Sequence, residues 1–268
     1  MLNPRVRSLF AVAAIAAMGY ATAAAAAADP ALTAAVASPT RNPKHVARDN
    51  ARHPVEELTF FGITPKMNVV EIWPGGGYWT DILGPYLAAG GHYTVALTPP
   101  KGEDDPNGFR ARLEKAKDKY GNVQFTTLGP EHFDIAPPGS ADLVLTFRNL
   151  HNWMYDGYAD QALAACFKAL KPGGILGIEE HRGRTDIPQD PKGENGYVRQ
   201  DYAIALAKKA GFVLVASSEI NANPKDTKDW PKGVWTLPPT LALGDTDRAK
   251  YMAIGEGDNF VLKFQKPR

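Results

Sequence analysis

The sequence predicts an α/β protein with a mostly parallel sheet and helices on both faces, and three observations carry that expectation. From residue 45 onward, short β-branched runs alternate with longer helical ones, as βαβ units do. Seven such short runs fall between residues 68 and 265, enough for one seven-stranded sheet. Polar, chemistry-bearing residues gather just past the ends of these runs, where open α/β sheets bind ligands.

Taken in order, the chain begins with Arg5 and Arg7, then an apolar run over 9–20, then an alanine-rich stretch over 21–28. That is the charged, apolar and small-residue order of a secretory signal cleaved before Asp29. The apolar part is short for a membrane span of ~20 residues, so the expectation is an exported protein, periplasmic or secreted, with no stable membrane anchor after cleavage. Residues 29–44, rich in Ala, Thr and Pro, read as a flexible leader ahead of a domain over 45–268. A helical lead-in covers 46–61, with Pro54 opening its second part, where a missing N–H is harmless. Strands are expected at 68–73, 92–97, 123–127, 142–147, 175–179, 212–217 and 259–265, and helices at 79–89, 108–120, 160–170 and 197–209. Lys171-Pro172-Gly173-Gly174 stops a helix and turns the chain into a strand. Residues 221–257, with Pro224, Pro231, Pro238 and Pro239, form an irregular insertion too long for a hairpin loop.

Composition narrows the function classes. At 268 residues, 44% hydrophobic and 22% charged, the chain suits one domain of roughly 200–250 residues. Thirty basic side chains against twenty-nine acidic ones make no broad field for a phosphate backbone, so a small molecule is expected as partner and nucleic acid is not. Cys166 is the only cysteine, which excludes an intrachain disulfide; its apolar surroundings mark it as a buried small hydrophobe.

Three segments carry the chemistry. VVEIWPGGGYWT, 69–80, is a buried strand ending in an acid, then three glycines, then a helix. Glycine lets the main chain bend sharply and approach a ligand, and the helix N-terminus supplies free N–H groups. A dinucleotide fingerprint wants Gly or Ala where Thr80 stands, and no Gly-Lys-Ser or Gly-Lys-Thr follows for a phosphate loop. The turn therefore either holds another nucleotide-like cofactor or simply joins a strand to a helix. DLVLTFRNLHNW, 142–153, sets Arg148, Asn149, His151 and Asn152 past a strand end, and LKPGGILGIEEHR, 170–182, follows as helix end, turn and strand.

In this order the motifs resemble those of the class I S-adenosylmethionine-dependent methyltransferases, whose first motif is an acid followed by alternating glycines and whose fifth strand is introduced by Leu-Lys-Pro-Gly-Gly. More closely, the chain is similar to a branch of predicted exported methyltransferases in Glu71 to Gly77, Phe147 to Trp153, His181-Arg182 and Phe260 to Phe264, over about residues 48–267. The resemblance implies a Rossmann-like seven-stranded sheet, S-adenosylmethionine as cofactor, and methyl transfer to a small molecule. It makes Glu71, Gly75, Gly76 and Gly77 the cofactor cradle, with Glu71 near the charged amino-acid end. Trp73 stands where the family usually has its first glycine, and its indole is placed to stack near the cofactor. Thr98 stands where an acid usually holds both ribose hydroxyls, and it can make one such bond.

His151 is the general-base candidate by its near-neutral reference pKa, with Asn152 beside it; the alternative is a histidine that only orders the loop. Asn149 and Asn152 bind cofactor or substrate, or cap the next helix. Arg148 holds an anionic substrate or pairs with an acid such as Asp49 or Glu180. Trp153 and Tyr155 wall a substrate pocket or pack in the core. Glu179 and Glu180 alternate to opposite faces of a strand, so no metal is expected at Glu179-Glu180-His181. From another class comes a second reading, a non-catalytic exported ligand-binding protein on a methyltransferase scaffold, because S-adenosylmethionine is made in the cytoplasm.

Overall fold

The structure, a computed structural model, describes residues 27–99 and 108–268; all but the last two residues of the expected signal segment lie outside them. Residues 29–44 are not the flexible leader expected from composition. Asp29 caps helix α1 (Pro30–Val36), accepting a hydrogen bond from the Ala31 N–H at 2.8 Å and another from the Tyr86 hydroxyl at 2.7 Å. Leu32 and Ala35, one turn apart on the same face, are buried in the core beside Leu83, Tyr86 and Leu87. Alanine content alone suggested looseness; an apolar stripe and a cap decide the matter.

The lead-in is three short helices, α2 (Pro43–Val46), α3 (Asp49–Arg52) and α4 (Pro54–Phe61). They break at His53, which precedes Pro54 and takes φ +41°, since the proline ring disfavours a right-handed helical residue before it. Pro54 opens α4, as expected. Next come β1 (Asn68–Ile72), α5 (Thr80–Leu87), β2 (His92–Leu97), α6 (Phe109–Lys115) and α7 (Lys117–Tyr120), the expected single helix over 108–120 being interrupted at Ala116. They are followed by β3 (Gln124–Thr127), β4 (Ala141–Phe147), α8 (Leu150–Tyr155), α9 (Ala159–Ala169) and β5 (Leu170–His181). Leu170 pairs with Ala141 and Ile175 with Leu143, so the Pro-Gly-Gly stretch between them bulges out of the ladder. Then follow α10 (Gln200–Lys209), β6 (Val213–Ser218), β7 (Pro231–Val234), α11 (Arg248–Ile254) and β8 (Asn259–Gln265).

Seven strands form one sheet in the order β3-β2-β1-β4-β5-β8-β6, with β7 outside it. β1, β2, β3, β4 and β5 run parallel, and β8 lies antiparallel between β5 and β6. Val70 and Ile72 face a core shared with α8, α9 and α10, while Val69 faces one shared with α1, α4 and α5. Cys166 is fully buried in the first, where burial pushes its thiol up to about 12. The chain reverses its direction of winding between β1 and β4, and their carboxyl ends therefore diverge into a crevice.

Candidate functional site at the ends of β1 and β4

A cavity of about 330 Å³ occupies that crevice. Its floor is the turn after β1 and the segment after β4. His45, Arg48 and Arg52 from α2, α3 and the junction between them cover it, and His181 with Val234, Trp235 and residues 238–240 closes the far side. Trp79 stacks on Phe147 at 4.1 Å between ring centres, giving one flat apolar wall.

The turn after β1 divides into parts with different work. Glu71 is fully buried; its Oε2 accepts hydrogen bonds from Thr80 at 2.8 Å and from the Tyr93 hydroxyl. Its Oε1 has no partner among the described residues, although Glu71 lines the cavity. Burial pushes this carboxyl up to about 7 against the opposing effect of the two hydroxyls. Gly75, at φ +57°, has open space where a side chain would stand, and Gly76 faces only His45. Gly77 does not line the cavity: the space beside it holds the Phe109 ring, 2.8 Å from where a Cβ would be. Trp73 adopts φ +48°, a left-handed backbone that favours glycine. Trp73 is partly buried and lines the cavity, with its indole tethered on the protein side. The Nε1–H donates to the Leu128 carbonyl at 3.0 Å, and the ring packs edge-on against Trp153 and Tyr158. Thr98 is exposed at the end of β2 and is not among the described residues that line the cavity.

The segment after β4 also begins with a left-handed residue, Arg148 at φ +61°. Its partners are neither Asp49 nor Glu180: Nη1 donates to Glu256 at 2.9 Å, and Nε lies 3.9 Å from Glu179. Asn149 lines the cavity and stands at the N-cap position of α8, but its side chain makes no cap bond; its amide donates to the Ile72 carbonyl at 2.9 Å and to Thr146, strapping β4 to β1. His151 is buried with Nδ1 2.9 Å from Glu180 Oε1, and its backbone N–H donates to Oε2 of the same carboxylate. An acceptor-only carboxylate places the ring proton on Nδ1, which leaves Nε2 as the basic nitrogen. His181 lies 5.6 Å away, ring to ring, held by Asn259; burial, reinforced by Arg148, keeps its pKa well below the ordinary imidazole value. Asn152 lines the cavity with His151. Trp153 is wholly inside the core, and Tyr155 is 59% exposed beside Lys192, so neither walls the cavity.

Sequence reasoning named Arg148 but missed the rest of the most charged part of the site. Arg48, Arg52 and Arg148 meet at Glu256, which comes from the irregular insertion. Two arginines at helical spacing in the lead-in were the legible signal; nothing local marks Glu256, which lies between Gly255 and Gly257.

No protein-family model and no curated protein matches the chain. Solved structures do. An S-adenosylmethionine-dependent methyltransferase from Aquifex aeolicus superposes with a TM-score of 0.55 at 14% identity, covering 84% of this chain and 93% of that one. A putative sarcosine dimethylglycine methyltransferase from Galdieria sulphuraria gives 0.54 at 12% identity, over 84% and 86%. The fold is that of the class I methyltransferases. The cyclase SpnF shares it too, with a TM-score of 0.53 at 14% identity over 88% and 91%, so the fold by itself does not name a reaction. Against the cofactor of the methyltransferase neighbours, the residues present fit the amino-acid end. Glu71 has an unpartnered buried oxygen, and Gly75 and Gly76 leave the backbone approachable.

Proposed function

We propose that this protein is an exported enzyme that transfers a methyl group from S-adenosylmethionine to a small molecule. The observation that carries the reading is the unpartnered Oε1 of Glu71 on the wall of a cavity at the ends of β1 and β4. Burial raises this carboxyl to about 7, and a cation beside its open oxygen would hold it in the charged form; the amino-acid end of this cofactor brings an ammonium and a sulfonium. Glu71, Gly75 and Gly76 would hold that end. When bound, the cofactor supplies an electrophilic methyl group. The chain's own residues orient the acceptor, exclude water and remove a proton where the acceptor carries one. His151 suits the last task, because Glu180 fixes its tautomer and steadies the imidazolium formed when Nε2 takes the proton.

Calorimetric titration of the purified protein tests the first part: saturable heat with S-adenosylmethionine and with S-adenosylhomocysteine is expected, and no heat at millimolar ligand would end the enzyme reading. His151→Ala is expected to lower turnover by about 10²–10⁴-fold while cofactor affinity stays put; unchanged turnover would remove His151 from the mechanism. The second reading, a non-catalytic binding protein on this scaffold, draws on Thr98 lying outside the cavity and on the Trp73 indole being tied to Leu128. It requires the same titration to be silent for both adenosyl ligands.

A further inference from the structure

We propose that the cavity holds the anionic group of its small-molecule partner, a carboxylate or a phosphate, on Arg48, Arg52 and Arg148; it rests on the methyl-transfer reading only in calling that partner the substrate. The three guanidiniums line one cavity and converge on a single carboxylate. Arg48 takes both oxygens of Glu256, at 2.6 and 2.7 Å, and Arg148 adds a bond to Oε2 at 2.9 Å. Arg52 comes last, its Nε 3.5 Å from the same oxygen and without a hydrogen bond, although its side chain is only 4% exposed. What Arg52 does have is the Tyr78 ring, 4.3 Å beneath its guanidinium.

Other acids nearby do not make up the deficit. Asp49 is engaged by Arg41 at 2.7 and 2.8 Å and by the Tyr78 hydroxyl at 2.7 Å. Glu179 comes within ion-pair reach of Arg148 alone among the three arginines, at 3.9 Å, and burial raises its pKa, which weakens it as a counter-charge. A guanidinium presents five donors in a planar fork matched to the oxygens of a carboxylate or phosphate. Leaving such donors unpaired in a buried wall is unfavourable, and an oxyanion with two or more free oxygens would satisfy them. Arg148 is also held in a left-handed conformation while its N–H donates to the Glu179 carbonyl at 2.7 Å, so the fold maintains the position of this guanidinium against local strain. The Trp79 and Phe147 stack and the partly buried Trp235 provide flat walls for an aromatic or apolar body attached to the anion.

The test is calorimetric titration of the full chain with benzoate, inorganic phosphate and neutral benzamide. Saturable binding of benzoate identifies a carboxylate and of phosphate a phosphate, while benzamide is expected to give no heat. Arg52→Gln and the more exposed Arg48→Gln should each weaken the anion that binds by about tenfold or more, and the second serves if the first does not fold. Glu256→Gln leaves three cations together, so its melting temperature should fall in anion-free buffer and recover when that anion is added. Three results would overturn the proposal: benzamide binding as well as benzoate, affinity unmoved in the arginine variants, or displacement of the anion by S-adenosylhomocysteine, which would assign the arginines to the cofactor's own carboxylate. Failure of the underlying reading looks different: anion binding with no response to S-adenosylmethionine keeps the arginine site and removes methyl transfer, and cofactor binding without anion binding does the reverse.

Discussion

At the scale of single residues, Glu71 joins stability to function. Its pKa is raised from an ordinary 4.5 to about 7 because burial outweighs the two hydroxyl donors, so the folded state favours the neutral form. The stability this contributes is fully present below the ordinary carboxylate range and is lost as pH rises through about 7. Glu71→Gln keeps an oxygen for Thr80 and Tyr93 to bond, and it is expected to be more stable than the parent at pH 8 by up to ~3 kcal/mol. Urea denaturation across pH 4 to 8 checks this (roughly the interval set by the two protonation limits): the decline should flatten but persist, since burial raises Glu179 in the same direction. The same variant should lose affinity for S-adenosylmethionine. An acid at a strand end was legible in the sequence. Its hydroxyl partners were not, because Tyr93 reaches it only through the register of β1 on β2. Trp73 shows the converse: the bulky residue at a glycine position was visible, but the direction of its indole depended on Leu128 at the end of β3.

At the scale of elements, the instructive case is α1. A helix of seven residues has little stability of its own and persists because it buries Leu32 and Ala35 beside α5. Leu32→Ala should therefore lower the unfolding free energy by about 2–4 kcal/mol, read from denaturant midpoints; a change near zero would return the segment to the status of a loose leader. Strands and most helices could be read from local periodicity, since each carries its own alternation or amphipathic stripe. The insertion could not. Its order comes from distant partners: the Val234 N–H donates to the Asn195 carbonyl, and Asp226 accepts from the Tyr197 hydroxyl and the Asp258 N–H. No window of sequence contains those pairs.

For the molecule as a whole, the parallel order β3-β2-β1-β4-β5 fixes where the cavity lies, and that location was legible from motifs that follow β1 and β4. Its cover was not, being drawn from both ends of the chain. Export is the proposal that belongs to this scale. Intact-mass measurement on protein recovered outside the cytoplasm should show loss of residues 1–28, leaving Asp29 as first residue; a full-length mass there would contradict cleavage. That new terminus would coincide with the cap of α1. The separation of 208 positions between Arg48 and Glu256 imposes a sequence in time. A chain that crosses a membrane N-terminus first delivers Arg48 and Arg52 early, and their counter-charge arrives only with the residues just before β8. Until then the two cations have no Glu256 to meet, so in a chain that emerges in this direction their charge pairing cannot form before the parallel strands are present.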